Sequence, residues 1–209
     1  MTKINLREKI LLAGTMFRFE QIDMDDSQIA GLFCGESAVS AIHDELESVV
    51  IENVIRTMDY LEEQMSTAEL IPDLDLFISL NSMLAQEQSL EVGTLRSGYS
   101  SIPCIGQLPV PDRNDVEQWI RRLNSTQTGK FNLMVAECFC SLAKIQPFWD
   151  GNKRTSLLLC NIVLMQKESV LMHISRENYS EFDRKLTLFY RGESREIIRF
   201  LTDRCMSVV

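Results

Sequence analysis

Residues 131–165 read FNLMVAECFCSLAKIQPFWDGNKRTSLLLCNIVLM, and this stretch decides the fold. Its first fifteen residues are apolar nearly all round, the pattern of a buried helix rather than of one that shows a face to water. QPFWDGNKR (146–154) interrupts them, and Pro147 and Gly151 mark it as a loop. TSLLLCNIVLMQK (155–167) then reads as a second buried helix. Two buried helices joined by a polar loop predict an all-α protein. They also place the loop's charges at the N-terminus of the second helix. Free backbone N–H groups and the positive end of the helix dipole make such a position receptive to anions.

Residue by residue, the loop suits phosphate. Gly151 allows a tight turn and close backbone approach. Asn152 can donate from its amide and tolerates unusual backbone angles. Lys153 and Arg154 add two positive charges, and arginine can grip phosphate oxygens in a bidentate manner. Asp150, beside a bound polyphosphate, could hold Mg²⁺ through one carboxylate. A solvated turn with both cations in water is the plainer reading of the composition. The buried helices on either side favour a site.

Outward from the centre, helical spacing recurs. Residues 3–20 place Leu6, Ile10, Ala13 and Phe17 on one stripe. Asp25-Asp26-Ser27 caps a short helix that stops at Gly35. Residues 38–65 align Ile42, Leu46, Val49, Val50, Val54, Met58 and Leu61. Pro72-Asp73 precede another helix, and 113–124, 176–191 and 193–206 complete the set. One region, EVGTLRSGYSSIPCIGQLPVPD (91–112), is rich in Gly and Pro with short β-like runs, which predicts a hairpin or extended flap.

The chain has 209 residues, 45% apolar and 24% charged, a globular composition organised here as one domain. Residues 1–35 supply N-terminal helices and 36–209 the core. A net charge of -9 argues against a nucleic-acid partner, which needs a basic face. No secretory leader or membrane span is legible in these residues. Six cysteines without a CxxC pair and two histidines argue against zinc and suggest reduced thiols in a cytoplasm. Export as an effector without a cleavable signal is equally compatible.

QPFWDGNKRTSLL resembles the Fic motif, H-P-F-x-(D/E)-G-N-x-R, with Phe148, Asp150, Gly151, Asn152 and Arg154 in register. GTLR (93–96) followed by PVP is similar to the family's G-x-x-R segment and flap, and the likeness runs from about residue 10 to 205. The resemblance implies a helical Fido fold, ATP and Mg²⁺ as cofactors, and transfer of AMP to a protein hydroxyl. It implies Asp150 for the metal and Gly151, Asn152 and Arg154 for the phosphates. It implies Gln146, at the position of the family's histidine, and Phe148 as the catalytic positions. The flap residues Ile102, Pro103, Cys104 and Ile105 would dock a target protein as an added strand. A homodimer is compatible with the family.

Three departures bear on function. The motif histidine, the family's general base, is Gln146, which cannot accept a proton near neutral pH; losing such a base costs on the order of 10²–10⁴ in rate. Lys153 replaces the usual glycine, so GNKRT is similar to the Doc-type branch, where the terminal phosphate is transferred instead of AMP. Leu157 stands where a second motif arginine is expected. An impaired or altered transferase and a catalytically silent binding module therefore both remain open.

Many Fic proteins carry an inhibitory pattern, (S/T)-x-x-x-E-(G/N). Ser48–Asn53 matches it by letters, with Glu52. Helix geometry points Glu52 away from the apolar stripe, at about 100° per residue. Glu20 instead continues the inward stripe of the first helix, where an acid needs a partner such as Arg154 or Lys153. Glu20 is therefore the expected inhibitory residue.

Overall fold

The computed structural model describes residues 3–35, 45–125 and 130–208. The described elements are α1 (Leu6–Phe19), α2 (Asp26–Phe33), α3 (Glu45–Thr67), α4 (Leu74–Leu84), β1 (Ser100–Ile102), β2 (Gly106–Leu108), α5 (Arg113–Asn124), α6 (Phe131–Ile145), α7 (Asn152–Glu168), β3 (Val170–Met172), α8 (Arg176–Arg191), α9 (Glu196–Arg204) and β4 (Met206–Val208). The architecture is all-α with a short hairpin, as the central stretch predicts.

Local chemistry starts four of these helices. Asn5 and Glu8 form a reciprocal capping box at α1, and Asp25 and Gln28 form one at α2. Asp73 and Asp112 cap α4 and α5 through their carboxylates. Each satisfies N–H groups that a helix start leaves unpaired, worth about 1 kcal/mol apiece.

The core is organised around α7. From Arg154 to Met165 every residue of this helix is buried, and α1, α4, α5, α6 and β3 all pack on it. Phe139 on α6, Phe182 on α8 and Phe19 on α1 form one aromatic cluster, with centroids 5.6 to 6.4 Å apart. That cluster fastens α1 over the end of α7 where the motif lies.

The expected hairpin is present: β1 and β2 pair antiparallel with Ile102 opposite Gly106. A second antiparallel pair, β3 with β4, was not foreseen. Its strands have three residues each, too short for a period-2 signal. The buried amide of Asn161 secures it by donating to the Met172 carbonyl at 2.9 Å and accepting the Met172 N–H at 2.7 Å.

Two expected core residues are exposed. Leu6 is 46% and Leu46 57% accessible. Both lie in the first described turn of their helices, where the right angular position meets no covering neighbour among the described residues. Ile4 fills the core near the start of α1 instead. Ile42 and His43, and the 38–44 part of the expected third helix, lie outside the described residues. Among the described residues, no helix is long and apolar enough to cross a membrane.

Candidate functional site

The α6–α7 loop is held by its own polar groups. Gln146 ends α6 in the left-handed region at φ 51°, and Gly151 starts α7 there at φ 73°. A Cβ at Gly151 would lie 3.2 Å from Asn81 Nδ2, so glycine is required for both backbone and space. Asn152 is buried. It accepts the Phe148 N–H at 2.8 Å and donates back to the Phe148 carbonyl at 2.9 Å. Its amide nitrogen also reaches Gln146 Oε1 at 3.0 Å. The side chain of Asn152 is thus engaged in closing the loop rather than facing solvent.

Two residues from other elements complete the frame. Asn81 of α4 is 1% exposed and donates to the Asp150 carbonyl at 2.9 Å. Arg96, also 1% exposed, donates to the carbonyls of Gln146 and Pro109 at 2.6 Å each, Gly98 at 2.5 Å and Ile145 at 3.3 Å. Burial lowers its pKa from the ordinary arginine value. The negative end of α6 compensates its charge. Arg96 ties the flap's base to the loop. Sequence reasoning assigned no role to Asn81; its one signal was an amide inside the apolar run DLFISLNSML.

The start of α7 lacks any cap. Gly151 offers no side chain, and the first intrahelical bond runs from Thr155 N to the Gly151 carbonyl at 2.8 Å. The N–H groups of Asn152, Lys153 and Arg154 precede that bond, and none has a side-chain partner among the described residues.

Arg154 is fully buried. It donates to the Leu84 carbonyl at 2.9 Å and to Gln88 Oε1 at 2.6 Å, and lies 3.3 Å from Asp150 Oδ1. Its Nε stands 2.9 Å from Glu20 Oε1. That N–H is not aimed at the carboxylate well enough to count as a hydrogen bond, so the contact is chiefly one of charge. Glu20 caps the C-terminus of α1, and Gln21 follows at φ 62°. Ile22 N bonds to the Phe17 carbonyl and Gln21 N to the Arg18 carbonyl, which is a Schellman turn. Such a turn needs a left-handed residue immediately after the glutamate, a physical reason for Gly or Asn in the inhibitory pattern. Glu52, the competing match, is exposed on α3.

Asp150 accepts the Gly151 N–H at 2.5 Å, and its side chain is 41% exposed. Among the described residues no cluster of three or more His, Cys, Asp or Glu side chains could hold a metal by itself. A single accessible carboxylate beside an anion site suits Mg²⁺, which keeps waters and takes substrate phosphates as ligands.

The other motif residues face elsewhere. Phe148 is 1% exposed and packs on Phe77 with centroids 5.0 Å apart, so it belongs to the core. Trp149 covers Gly98 and donates from Nε1 to Glu91 at 2.9 Å. Gln146 donates from Nε2 to the Ala143 carbonyl at 2.6 Å. Gln146 and Lys153 line a cleft of about 430 Å³ together with Ile102, Pro103 and Cys104 of the flap and a face of α8. Ile105 packs against the core and does not line it. Lys153 lies over the Phe19 ring at 5.1 Å. Burial pushes its pKa below the usual lysine value, while Glu20 and Asp183 pull it back up. His173 lines a separate depression with Arg18 and Arg176.

The chain is a helical protein whose central helix–loop–helix presents an uncapped helix start, a left-handed glycine and a buried arginine. A sequence model of the Fic/DOC family matches residues 36–164, and the chain belongs to that family. The "Protein adenylyltransferase Fic" of Drosophila persimilis is 33% identical over 87 residues, which cover 42% of this chain and 17% of the relative. That of Drosophila grimshawi is 35% identical over 89 residues, 42% and 18%. The match thus spans under a fifth of these curated relatives. A Fic family protein from Desulfovibrio desulfuricans G20 superposes with a TM-score of 0.72 at 16% identity, over 94% of this chain and 62% of that one. Fic-1 from C. elegans gives 0.69 at 18% identity, over 92% and 58%. At such identities these structures share the fold.

Proposed function

We propose that this protein is a Fic-type transferase that binds Mg-ATP at the start of α7. It moves AMP or the terminal phosphate to a hydroxyl of a protein segment laid along the flap. The uncapped α7 terminus carries this reading, because three N–H groups without side-chain partners among the described residues lie there together with Lys153 and Arg154. Mg²⁺, held by Asp150, would neutralise phosphate charge. Lys153 would supply the cation nearest the flap, as in the Doc-type branch, and Asn152 would keep the loop in shape. The open edges of the β1–β2 hairpin offer backbone groups for a target strand. With Glu20 on Arg154, the arginine is occupied, so phosphate binding would displace the glutamate. Glu20 is in this sense inhibitory.

Calorimetry with ATP and Mg²⁺ tests the reading, with Lys153→Met and Arg154→Ala beside the natural protein and circular dichroism to check each fold. Binding weakened tenfold or more in folded Lys153→Met supports it. Absence of binding, in both the natural protein and Glu20→Gly, would refute it. A second reading, a binding module without catalysis, is favoured by one observation. Both polar atoms of the Gln146 amide are already bonded, to Ala143 and Asn152, which leaves none aimed at a reactant. Gln146→His separates the two: transfer by the natural protein or by this variant supports the enzyme, and ATP bound without transfer by either supports the module.

A further inference from the structure

We infer that Asp183 on α8 is the proton acceptor that replaces the base missing at position 146, with Tyr190 two turns further along the same wall of the cleft. The inference rests on the transferase reading.

The cleft that contains Gln146 has two walls. One is the flap, Ser101–Cys104; the other is α8, which contributes Asp183, Leu186, Thr187 and Tyr190. These four follow the spacing of one helix face, so Asp183 and Tyr190 stand on the same wall two turns apart. An acceptor segment on the flap would enter the cleft that Asp183 and Lys153 both line.

Few groups in that cleft can take a proton. Gln146 cannot, and its amide is engaged. Lys153 is a cation directed to the Phe19 carbonyl at 3.4 Å and is needed for phosphate. The Tyr190 hydroxyl is a donor, since burial pushes its pKa well above the ordinary tyrosine value. Asp183 is different. Among the described residues it makes no hydrogen bond and no ion pair, while its charge still acts on Lys153 and Tyr190. An unengaged carboxylate is free to accept, and protein kinases use such an aspartate on a substrate hydroxyl.

Tyr190 supplies an independent observation. It is 8% exposed, lines the cleft, and its buried hydroxyl has no partner among the described residues. Leaving a buried donor unmatched is unfavourable, and a shift of the ring towards the cleft would let a ligand oxygen satisfy it. In the proposed step the acceptor oxygen forms a bond to phosphorus, and the bond to pyrophosphate or ADP breaks. The acceptor's proton passes to Asp183, which later releases it to solvent.

The test measures ATP turnover with α- and γ-labelled ATP, water or the protein's own hydroxyls serving as acceptor, together with ATP affinity. Asp183→Asn should lower turnover by about 10²-fold or more with affinity unchanged, and adding Gln146→His to that variant should restore it. Several results would overturn the assignment: turnover within threefold of the natural protein, joint loss of binding and turnover, a loss that Gln146→His does not rescue, or a natural protein that binds ATP without turnover. Failure of the natural protein and Glu20→Gly to bind ATP would instead remove the transferase reading, and this inference with it.

Discussion

Replacing Glu20 by Gln removes one negative charge from the α7 terminus and changes little else in shape. Arg154 would keep Leu84, Gln88 and Asp150 as partners, so its buried charge stays compensated. The 2.9 Å contact to Glu20 is charge-assisted, a class worth about 1.5–3 kcal/mol. Its N–H is poorly aimed and the Glu20 side chain is 29% exposed, which places it at the lower end, about 1.5 kcal/mol. If a phosphate competes for the same guanidinium, that amount is released to binding, and the Kd for Mg-ATP should fall about tenfold. Stability in urea should fall by no more than about 1.5 kcal/mol, with the denaturant slope unchanged. Calorimetry of the two proteins side by side reads the first quantity. A Kd within a factor of two of the natural protein, in a folded variant, would refute the idea that Glu20 and phosphate compete.

Arg96→Met should destabilise the protein by about 3–5 kcal/mol in urea, since it strips four carbonyls of one buried donor; a loss below about 1 kcal/mol would mean that water replaces it freely. Thiol alkylation at pH 8 should label Cys34 and Cys104 in the native protein and all six cysteines in denaturant. Burial pushes the Cys138 and Cys205 thiols up to about 12 and raises Cys140 and Cys160 further, so the reactive thiolate is scarce below that pH.

The geometry also explains why the departures from the Fic pattern matter unequally. Leu157 lies in the core with no exposure, so the position of the second arginine is simply packed. Gln146 keeps the loop's hydrogen bonds intact while removing its proton acceptor. Lys153 adds a cation to the flap side of the site. The chain retains the frame of the loop.

Much of this was legible in the residues. The helices at 113–124, 131–145 and 176–191 follow from apolar content and spacing, because these are local effects with ranges of a few residues. The QPFWDGNKR loop and the left-handed Gly151 follow from turn chemistry, and the inward tilt of Glu20 from helical phase. Other features had no local signal. Periodicity placed Leu6 and Leu46 on the apolar side but could not say that neighbouring helices stop short of them. Asn81 and Arg96 meet the loop only because α4 and the flap fold against α6 and α7. Asp183 and Tyr190 join the flap cleft only because α8 packs beside it. Composition, helical phase and turn chemistry determined the elements and the motif. Tertiary packing alone decided which carboxylate meets which cation, since a charge's partner depends on distances across the fold, and spacing along the chain does not encode them.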